Sequence, residues 1–343
     1  MANILVAMSG GVDSTTTAYL LKQAGNHVEG CYLRLHGDEK KHQKNIAMVK
    51  RAAEFLGIKY HILDLNKEFK DIVYNPFVKA YEDGVTPNPC VLCNKNIKFG
   101  ALLDFAKSVG MDKLATGHYV QIKDGLIYEA VDKSKDQSYF LAQVSLDALP
   151  FMIFPLGEKY KKDIKAFALS IPELEDFSTQ KESSEICFVQ NTYIEILQEH
   201  MNVSRQGEVL NTKGEVIGTH QGYMHYTIGK RRGFDIKGAH DPHYVISIIP
   251  EKNQIIVGNK NELEAREFRV KSLNMFVDKN ELEAAVKIRY RSPKLKCKIF
   301  IDDDKKGAKI VMDESASAIA AGQLATFYQD EYVVGSGIID SAT

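Results

Sequence analysis

Ser9-Gly10-Gly11-Val12-Asp13-Ser14 follows directly on the apolar run Ile4-Leu5-Val6-Ala7-Met8, and Thr15 to Lys22 after it reads as a helix stopped by Gly25. A buried strand that turns through two glycines into a hydroxyl-rich helix start presents a nest of backbone N–H groups. The helix dipole adds to the nest's attraction for phosphate. Gly10 and Gly11 let the backbone turn sharply and let a ligand come close with no Cβ in the way. A Walker loop carries a lysine directly before its final Ser/Thr. Asp13 stands there instead; it cannot neutralise a γ-phosphate and suits Mg²⁺. Taken alone, the motif is explained equally well by a glycine turn opening a helix.

The second set of reactive residues is sulfur. Five cysteines, Cys31, Cys90, Cys93, Cys187 and Cys297, are an odd number spread over 343 residues. That is a poor disulfide framework and points to catalysis, metal binding or buried thiols in a reducing compartment. Thr86-Pro-Asn-Pro-Cys-Val-Leu-Cys-Asn-Lys95 is a loop stiffened by two prolines and leading into a helix. The spacing puts Cys93 near a helix N-terminus, where the dipole and Lys95 are expected to favour thiolate. By itself Cys90-x-x-Cys93 reads as half a zinc site or a redox pair, and with no second pair a closed four-cysteine zinc site is not expected. Cys187 lies between acidic and apolar neighbours. Cys31 and Cys297 read as packing thiols.

Elements that position such residues are visible in the pattern. Candidate strands Ile4–Met8, Val28–Leu35, Tyr60–Leu65 and Lys113–Thr116 alternate with helical stretches Gln43–Phe55, Ile97–Ser108 and Lys159–Ala168, as in a parallel sheet covered on both faces. In such sheets ligands gather at the C-terminal ends of strands, where both Ser9–Ser14 and Thr116-Gly117-His118 fall. A hairpin, Val120–Ile122 and Leu126–Glu129, interrupts the alternation. Past about Val203 short β-rich runs between glycine turns take over, among them Tyr244–Ile249, Ala285–Tyr290 and Lys296–Ile301. They suggest one or two small antiparallel barrels or sandwiches, with boundaries near 203 and 270. Hydrophobic content of 44% and charged content of 26% are those of an ordinary globular protein, and a net charge of -1 argues against coating nucleic acid by bulk electrostatics. No apolar stretch is long enough to span a bilayer and the first residues lack a basic signal flank, so a cytoplasmic location is expected. Lys287, Arg289, Arg291, Lys294, Lys296 and Lys298 form a run without acidic residues. Alternation with Val286, Ile288 and Tyr290 would place the first three on one strand face, either a solvated edge or an RNA contact.

Taken in order, Ser9–Ser14, Thr86–Lys95, Ile97-Lys-Phe-Gly100, Ala115-Thr-Gly-His-Tyr119, Lys135-Asp-Gln-Ser-Tyr-Phe-Leu141, Phe154-Pro-Leu-Gly157, Glu185-Ile-Cys-Phe188 and Tyr226-Thr-Ile-Gly-Lys-Arg231 resemble the bacterial tRNA-specific 2-thiouridylases of the MnmA type. The resemblance runs over nearly the whole chain. It implies an α/β fold: a parallel-sheet ATP-pyrophosphatase (PP-loop) domain over 1–203, then a central β-rich domain over 204–269 and a C-terminal β-barrel over 270–343, both gripping tRNA. The implied activity is ATP-dependent 2-thiolation of the wobble uridine of tRNAs for Lys, Glu and Gln. ATP with Mg²⁺ adenylates the base oxygen, and a cysteine persulfide, charged by a cysteine desulfurase or sulfur-relay protein, supplies sulfur.

Residue by residue, the resemblance makes Cys93 the nucleophile and Cys187 the persulfide carrier, the two closing into a disulfide during turnover. It places Ala7, Met8, Ser9, Gly10, Gly11, Val12, Asp13 and Ser14 around the phosphates, with Leu33 and Gly117 near the adenosine. Asn88, Pro89 and Cys90 face the target base; His118, Lys135, Asp136, Gln137, Arg289, Tyr290 and Gln323 contact tRNA. The chain departs from the family where Cys90 replaces an aspartate, Glu182 an aspartate and Ser184 a glutamine. Cys90, Cys93 and Cys187 together would leave one open position on a [4Fe-4S] cluster, so cluster-bound sulfide is a rival for the sulfur step. Two other readings stay open: an amidating or ligating PP-loop enzyme, which needs neither Cys93 nor Cys187, and a tRNA-binding module with a vestigial nucleotide site.

Overall fold

The computed structural model describes residues 1–178, 186–189, 191–236, 238 and 241–342; Glu182, Ser184 and Glu185 lie outside the described residues. The chain forms two compact units, one of residues 1–74, 90–188 and 330–334, the other of 75–89, 189–329 and 335–343.

The first unit holds strands β1 (Asn3–Ala7), β2 (His27–Arg34), β3 (Tyr60–Asp64), β4 (Lys113–Ala115), β5 (Val120–Lys123), β6 (Leu126–Glu129) and β7 (Met152–Ile153). Five of them make a sheet in the order β3-β2-β1-β4-β7, parallel throughout. Ile4, Leu5 and Val6 are at most 1% exposed. Burial on both faces explains why β1 reads as a continuous apolar run rather than an alternating one. Helix α1 (Val12–Gln23) and helix α2 (Glu39–Leu56) cover the sheet, with Ala18, Leu21, Val49, Ala52 and Leu56 packed in one cluster with Ile4, Val6 and Val28. Asp38 caps α2 by accepting from the Lys40 N–H, and Gly57, at φ 58°, ends it in the left-handed conformation. Strand order reverses between β2-β1 and β1-β4, so the crevice at the ends of β1 and β4 is the topological switch point. β5 and β6 form the expected hairpin, turning at Asp124 and Gly125, both at positive φ as a type I′ turn requires.

The second unit contains β8 (Gly207–Leu210), β9 (Val216–His220), β10 (Phe234–Ile236), β11 (Tyr244–Ile249) and β12 (Gln254–Gly258), in the order β10-β9-β8-β12-β11 around Val209, Tyr226, Val245, Ile255 and Val257. It also contains, apart from the first three residues of the last strand, a barrel of β13 (Glu264–Met275), β14 (Glu281–Lys287), β15 (Leu295–Ile301), β16 (Gly307–Ser317), β17 (Leu324–Gln329) and β18 (Tyr332–Ala342). Their order is β13-β16-β15-β14-β17-β18, and β18 pairs back with β13 to close it. The expected strand Ala285–Tyr290 stops at Lys287. Ser292 Oγ accepts from the Arg289 N–H, and the Ser292 N–H reaches back to the Arg289 carbonyl, closing a turn before Pro293. Proline has no N–H with which to extend a ladder. Lys287, Arg289 and Arg291 therefore do not share one strand face.

Candidate active site

The loop after β1 is built to leave N–H groups open. Gly10 sits at φ 81°, and a Cβ there would meet Asn45 O and Met48 Cβ of α2 at 3.1 Å. Gly11 takes the N-cap position of α1 with no capping side chain. The hydroxyls of Ser14 and Thr15 donate to the Gly11 carbonyl, at 3.0 and 3.1 Å. The first-turn N–H groups of α1 thus have no side-chain acceptor of their own, which is the geometry an anion completes. Ala7 pairs with Cys31, and the Met8 N–H extends the ladder to the Cys31 carbonyl. Val12 is buried, and Leu33 is half-buried near the end of β2, opposite Leu63. A Cβ on Gly117 would fall 3.0 Å from Asp13 and Ser14, so the end of β4 presses directly on the loop.

Asp13 is not poised for a metal. Both its carboxylate oxygens accept from Lys161 Nζ at 2.6 Å, and Oδ1 also accepts from Tyr119 Oη at 2.9 Å. With the carboxylate so engaged, the expected Mg²⁺ role does not fit this arrangement. Lys161 was not among the sequence candidates. The signal was there: it opens the helix Lys161–Leu169, where a cation runs against the helix dipole.

Cys90 lies on the short helix Pro89–Leu92, and Cys93 begins a π-helical segment, Cys93–Ala101, that continues as the α-helix Leu102–Ser108. The expected thiolate at Cys93 is not what the surroundings favour. Cys93 is 8% exposed. Burial pushes its thiol up to about 12 and that of Cys90 to about 11. Desolvation wins over the helix start, and Lys95 bonds Gln143 Oε1 instead. Lys98 works against that rise at both Cys90 and Cys93, and at exposed Cys187 both Lys98 and Lys41 favour the charged form. Helix width explains the alignment. Five residues along an α-helix overshoot a full turn by about 140°; i-to-i+5 bonding brings Lys98 back over Cys93.

Lys98 Nζ lies 3.4 Å from His118 Nε2, and His118 Nδ1 is 2.6 Å from Thr116 Oγ1. His118 is buried between Phe99 and Phe154, and burial, then Lys98, holds it well below the usual histidine range. Cys187 is exposed, and its carbonyl accepts from Lys41 Nζ at 3.2 Å. Phe188 anchors this segment among Phe69, Tyr74 and His36. The three-residue stretch Thr116-Gly117-His118 therefore touches the phosphate loop through its glycine and Lys98 through its histidine. Among the described residues no group of three His, Cys, Asp or Glu side chains is arranged to hold a metal, so Cys90, Cys93 and Cys187 as placed do not fit a cluster. Cys31 and Cys297 are buried, with thiols pushed up to about 12, as packing residues should be.

The residues expected to contact tRNA divide. In the first unit Asp136 is 4% exposed and accepts from the N–H groups of Ala130 and Ser138 and the Ser138 hydroxyl. Gln137 Oε1 accepts from the Tyr119 N–H, and Lys135 is half-buried beside them. In the second unit Gln323 Nε2 donates to the carbonyls of Thr86 and Pro87, fixing the loop that runs to Asn88 and Pro89. Arg289 Nη2 donates to the carbonyls of Ile228 and Ala318, with Tyr290 half-buried at the turn.

A parallel sheet with an anion-ready loop at its switch point, the Lys98–His118 contact at the neighbouring strand end, and two β-rich modules downstream define a nucleotide-binding α/β protein of the HUP class. Family models match the chain in the same order: a tRNA methyl transferase HUP domain over residues 2–191, a tRNA methyl transferase PRC-barrel domain over 194–259, and an aminomethyltransferase β-barrel domain over 265–339. The tRNA-specific 2-thiouridylase MnmA of Campylobacter lari is 56% identical over 98% of this chain and 99% of its own length. That of a Nitratiruptor species is 51% identical over 98% of both. The chain belongs to the tRNA-specific 2-thiouridylase MnmA family.

Proposed function

We propose that this protein thiolates C2 of the wobble uridine in tRNAs for Lys, Glu and Gln, using ATP. The observation that carries the reading is Thr116-Gly117-His118: its glycine packs against the open phosphate loop, and its histidine meets Lys98, the cation that favours the charged form of Cys90, Cys93 and Cys187. The family models are described by methyl transfer, but sulfur transfer is what paired thiols beside a nucleotide loop can perform. The uracil O2 attacks the α-phosphorus of ATP, pyrophosphate leaves along Ser9–Ser14, and AMP becomes the leaving group that oxide is not. Ala7 to Ser14 hold the phosphates, with Leu33 and Gly117 against the adenosine.

The terminal sulfur of a persulfide on Cys187, exposed enough to meet a donor protein such as a cysteine desulfurase or sulfur relay, displaces AMP at C2. Cys93 thiolate then attacks Cys187 Sγ. The persulfide S–S bond breaks, its electron pair stays on the sulfur bound to C2, and a Cys93–Cys187 disulfide forms, to be reduced by an external thiol. Lys98 favours the Cys93 thiolate in this step. Asn88, Pro89 and Cys90 lie towards the base; Lys135, Gln137, Arg289, Tyr290 and Gln323 belong to the tRNA-facing surface, Asp136 and His118 shaping it from below. Three modules, 1–203, 204–269 and 270–343, divide the chemistry from the RNA grip.

The test is purified protein with ATP, Mg²⁺, tRNA transcript and labelled persulfide donor, followed by nucleoside analysis. Thiouridine should form with matching AMP and pyrophosphate, and Cys187→Ser should bind ATP and tRNA yet form none. Equal thiolation with a non-hydrolysable nucleotide would sink the proposal.

A further inference from the structure

We infer that the first turns of α2 are a docking face for the acidic surface of a persulfide-carrying protein, which loads sulfur onto Cys187. Lys40, Lys41 and Lys44 are exposed there, while His42 between them is buried. Lys44 stands three residues from Lys41 and four from Lys40, so the three ammonium groups share one helix face. Lys41 Nζ donates to the Cys187 carbonyl at 3.2 Å, which puts that face against the segment carrying the exposed thiol. Phe188, packed among Phe69, Tyr74 and His36, holds the segment in place.

The helix itself gives no reason for these lysines. Cations in the opening turns of a helix run against its dipole, and carboxylates are favoured there. The two carboxylates at this end are engaged elsewhere: Asp38 accepts from the Lys40 N–H as the cap, and Glu39 pairs with Arg34. Further along α2, Lys50 pairs with Glu54 and Arg51 with Asp176. Among the described residues Lys40, Lys41 and Lys44 have no carboxylate partner. An incoming carrier meets this unpaired charge before it meets the sulfur. Loading obliges it to come that close. Cys187 thiolate attacks the terminal sulfur of the carrier's persulfide, and the carrier's S–S bond breaks. The carrier's thiolate leaves with the electron pair, and the proton stays on the transferred sulfur. The two cysteines must reach bonding distance, so the surface around the carrier's cysteine falls on α2. Three ammonium groups with no ring and no free guanidinium among them suit carboxylates on a protein better than a splayed nucleotide, which needs a stacking partner.

The inference rests on reading Cys187 as the persulfide carrier, and the experiment separates the two. Two peptides of equal length are compared on the full chain, each with a central cysteine activated as its 2-thiopyridyl disulfide. One is flanked by aspartates, the other by lysines. Cys187 thiolate attacks the peptide Sγ, 2-thiopyridone leaves, and its absorbance gives the rate; peptide mapping and Cys187→Ser identify the thiol. The acidic peptide should react at least about tenfold faster at low salt, and the ratio should approach one as salt rises. In Lys40→Gln/Lys44→Gln the ratio should fall several-fold at low salt, with tRNA affinity kept. Equal rates for the two peptides, a ratio insensitive to salt, or a ratio unchanged in the double variant overturns the inference. A loss of tRNA affinity as large as the loss of peptide preference gives the face to RNA and overturns it too. The assay holds neither ATP nor tRNA. Thiouridine formed without charge preference therefore strikes the docking face alone, and charge preference without thiouridine strikes the proposed function alone.

Discussion

Lys98 Nζ lies 3.4 Å from Nε2 of buried His118, and this contact settles the histidine's proton. An ammonium only donates, so Nε2 must accept, and the ring hydrogen sits on Nδ1, facing Thr116 Oγ1 at 2.6 Å. A second positive charge on the ring is disfavoured by burial first and by Lys98 second.

This has a consequence for stability against pH. The unfolded histidine takes up a proton near pH 6.5, while the folded one does so only well below that. Below pH 6.5 the unfolded chain therefore binds more protons, and stability falls with falling pH. The slope approaches at most about 1.4 kcal/mol per pH unit for one group. Urea midpoints of the parent chain and His118→Gln between pH 7.5 and 5.5 measure it. The parent should lose stability faster than the variant on the acid side; parallel curves would show that His118 is not the group responsible.

Thiol reactivity should follow burial rather than sequence neighbourhood. Cys187 is exposed, Cys93 is 8% exposed, and Cys31 and Cys297 are 0% and 3% exposed. Brief alkylation of the native protein at neutral pH, read by peptide mass spectrometry, should modify Cys187 first and leave Cys31 and Cys297 unlabelled. Raising the pH should speed Cys93 and Cys90 steadily with no plateau below pH 9, because burial pushes their thiols to about 12 and 11. In Lys98→Met the Cys93 rate at pH 8 should fall several-fold. Labelling of Cys93 ahead of Cys187 would contradict the arrangement.

Gly117→Ala tests the contact between β4 and the phosphate loop. The new methyl would lie 3.0 Å from Asp13 and Ser14, closer than the backbone tolerates without moving. We expect a folded protein, destabilised by about 1–3 kcal/mol as for other overpacked sites, with a larger proportional loss in ATP affinity than in tRNA affinity. Unchanged ATP binding would mean the loop has slack that the packing does not show.

How much of this was readable beforehand depends on the length scale of the cause. β1, the loop and α1 were legible because a local apolar run, two glycines and a helix start specify them, and Tyr244–Ile249 was legible from its bounds. Met152–Ile153 is too short to carry a period. The π-helical turns of Cys93–Ala101 left no trace in the pattern, because helix width is set by what packs around it. Cys93 was expected as thiolate because the sequence shows Lys95 and a helix start; it does not show burial, which dominates. Lys161 was missed because its partner lies at Asp13, far along the chain, though a lysine opening a helix is an anomaly worth tracing. The close approach at Gly10 was legible because glycine marks it directly, whereas Gly117 came in through the family resemblance and the strand-end rule.

Arg289 offers the last test, and it separates structure from RNA contact. Its Nη2 holds the Ile228 and Ala318 carbonyls at 3.0 and 2.9 Å, so the side chain ties the turn after β14 to two other segments of its own unit. Arg289→Ala removes hydrogen bonds made by a charged donor, each worth about 1.5–3 kcal/mol at most, and the urea midpoint should drop accordingly. Arg289→Lys keeps the charge but has no planar fork to span two carbonyls, so it should lose much of the same stability. On tRNA the two variants should part. If the guanidinium charge also serves a phosphate, the slope of log affinity against log salt falls by about one for Ala and stays put for Lys. Fluorescence titrations at three or four salt concentrations read this directly. Identical slopes for the parent and Arg289→Ala would assign Arg289 to the barrel's architecture alone and remove it from the tRNA surface.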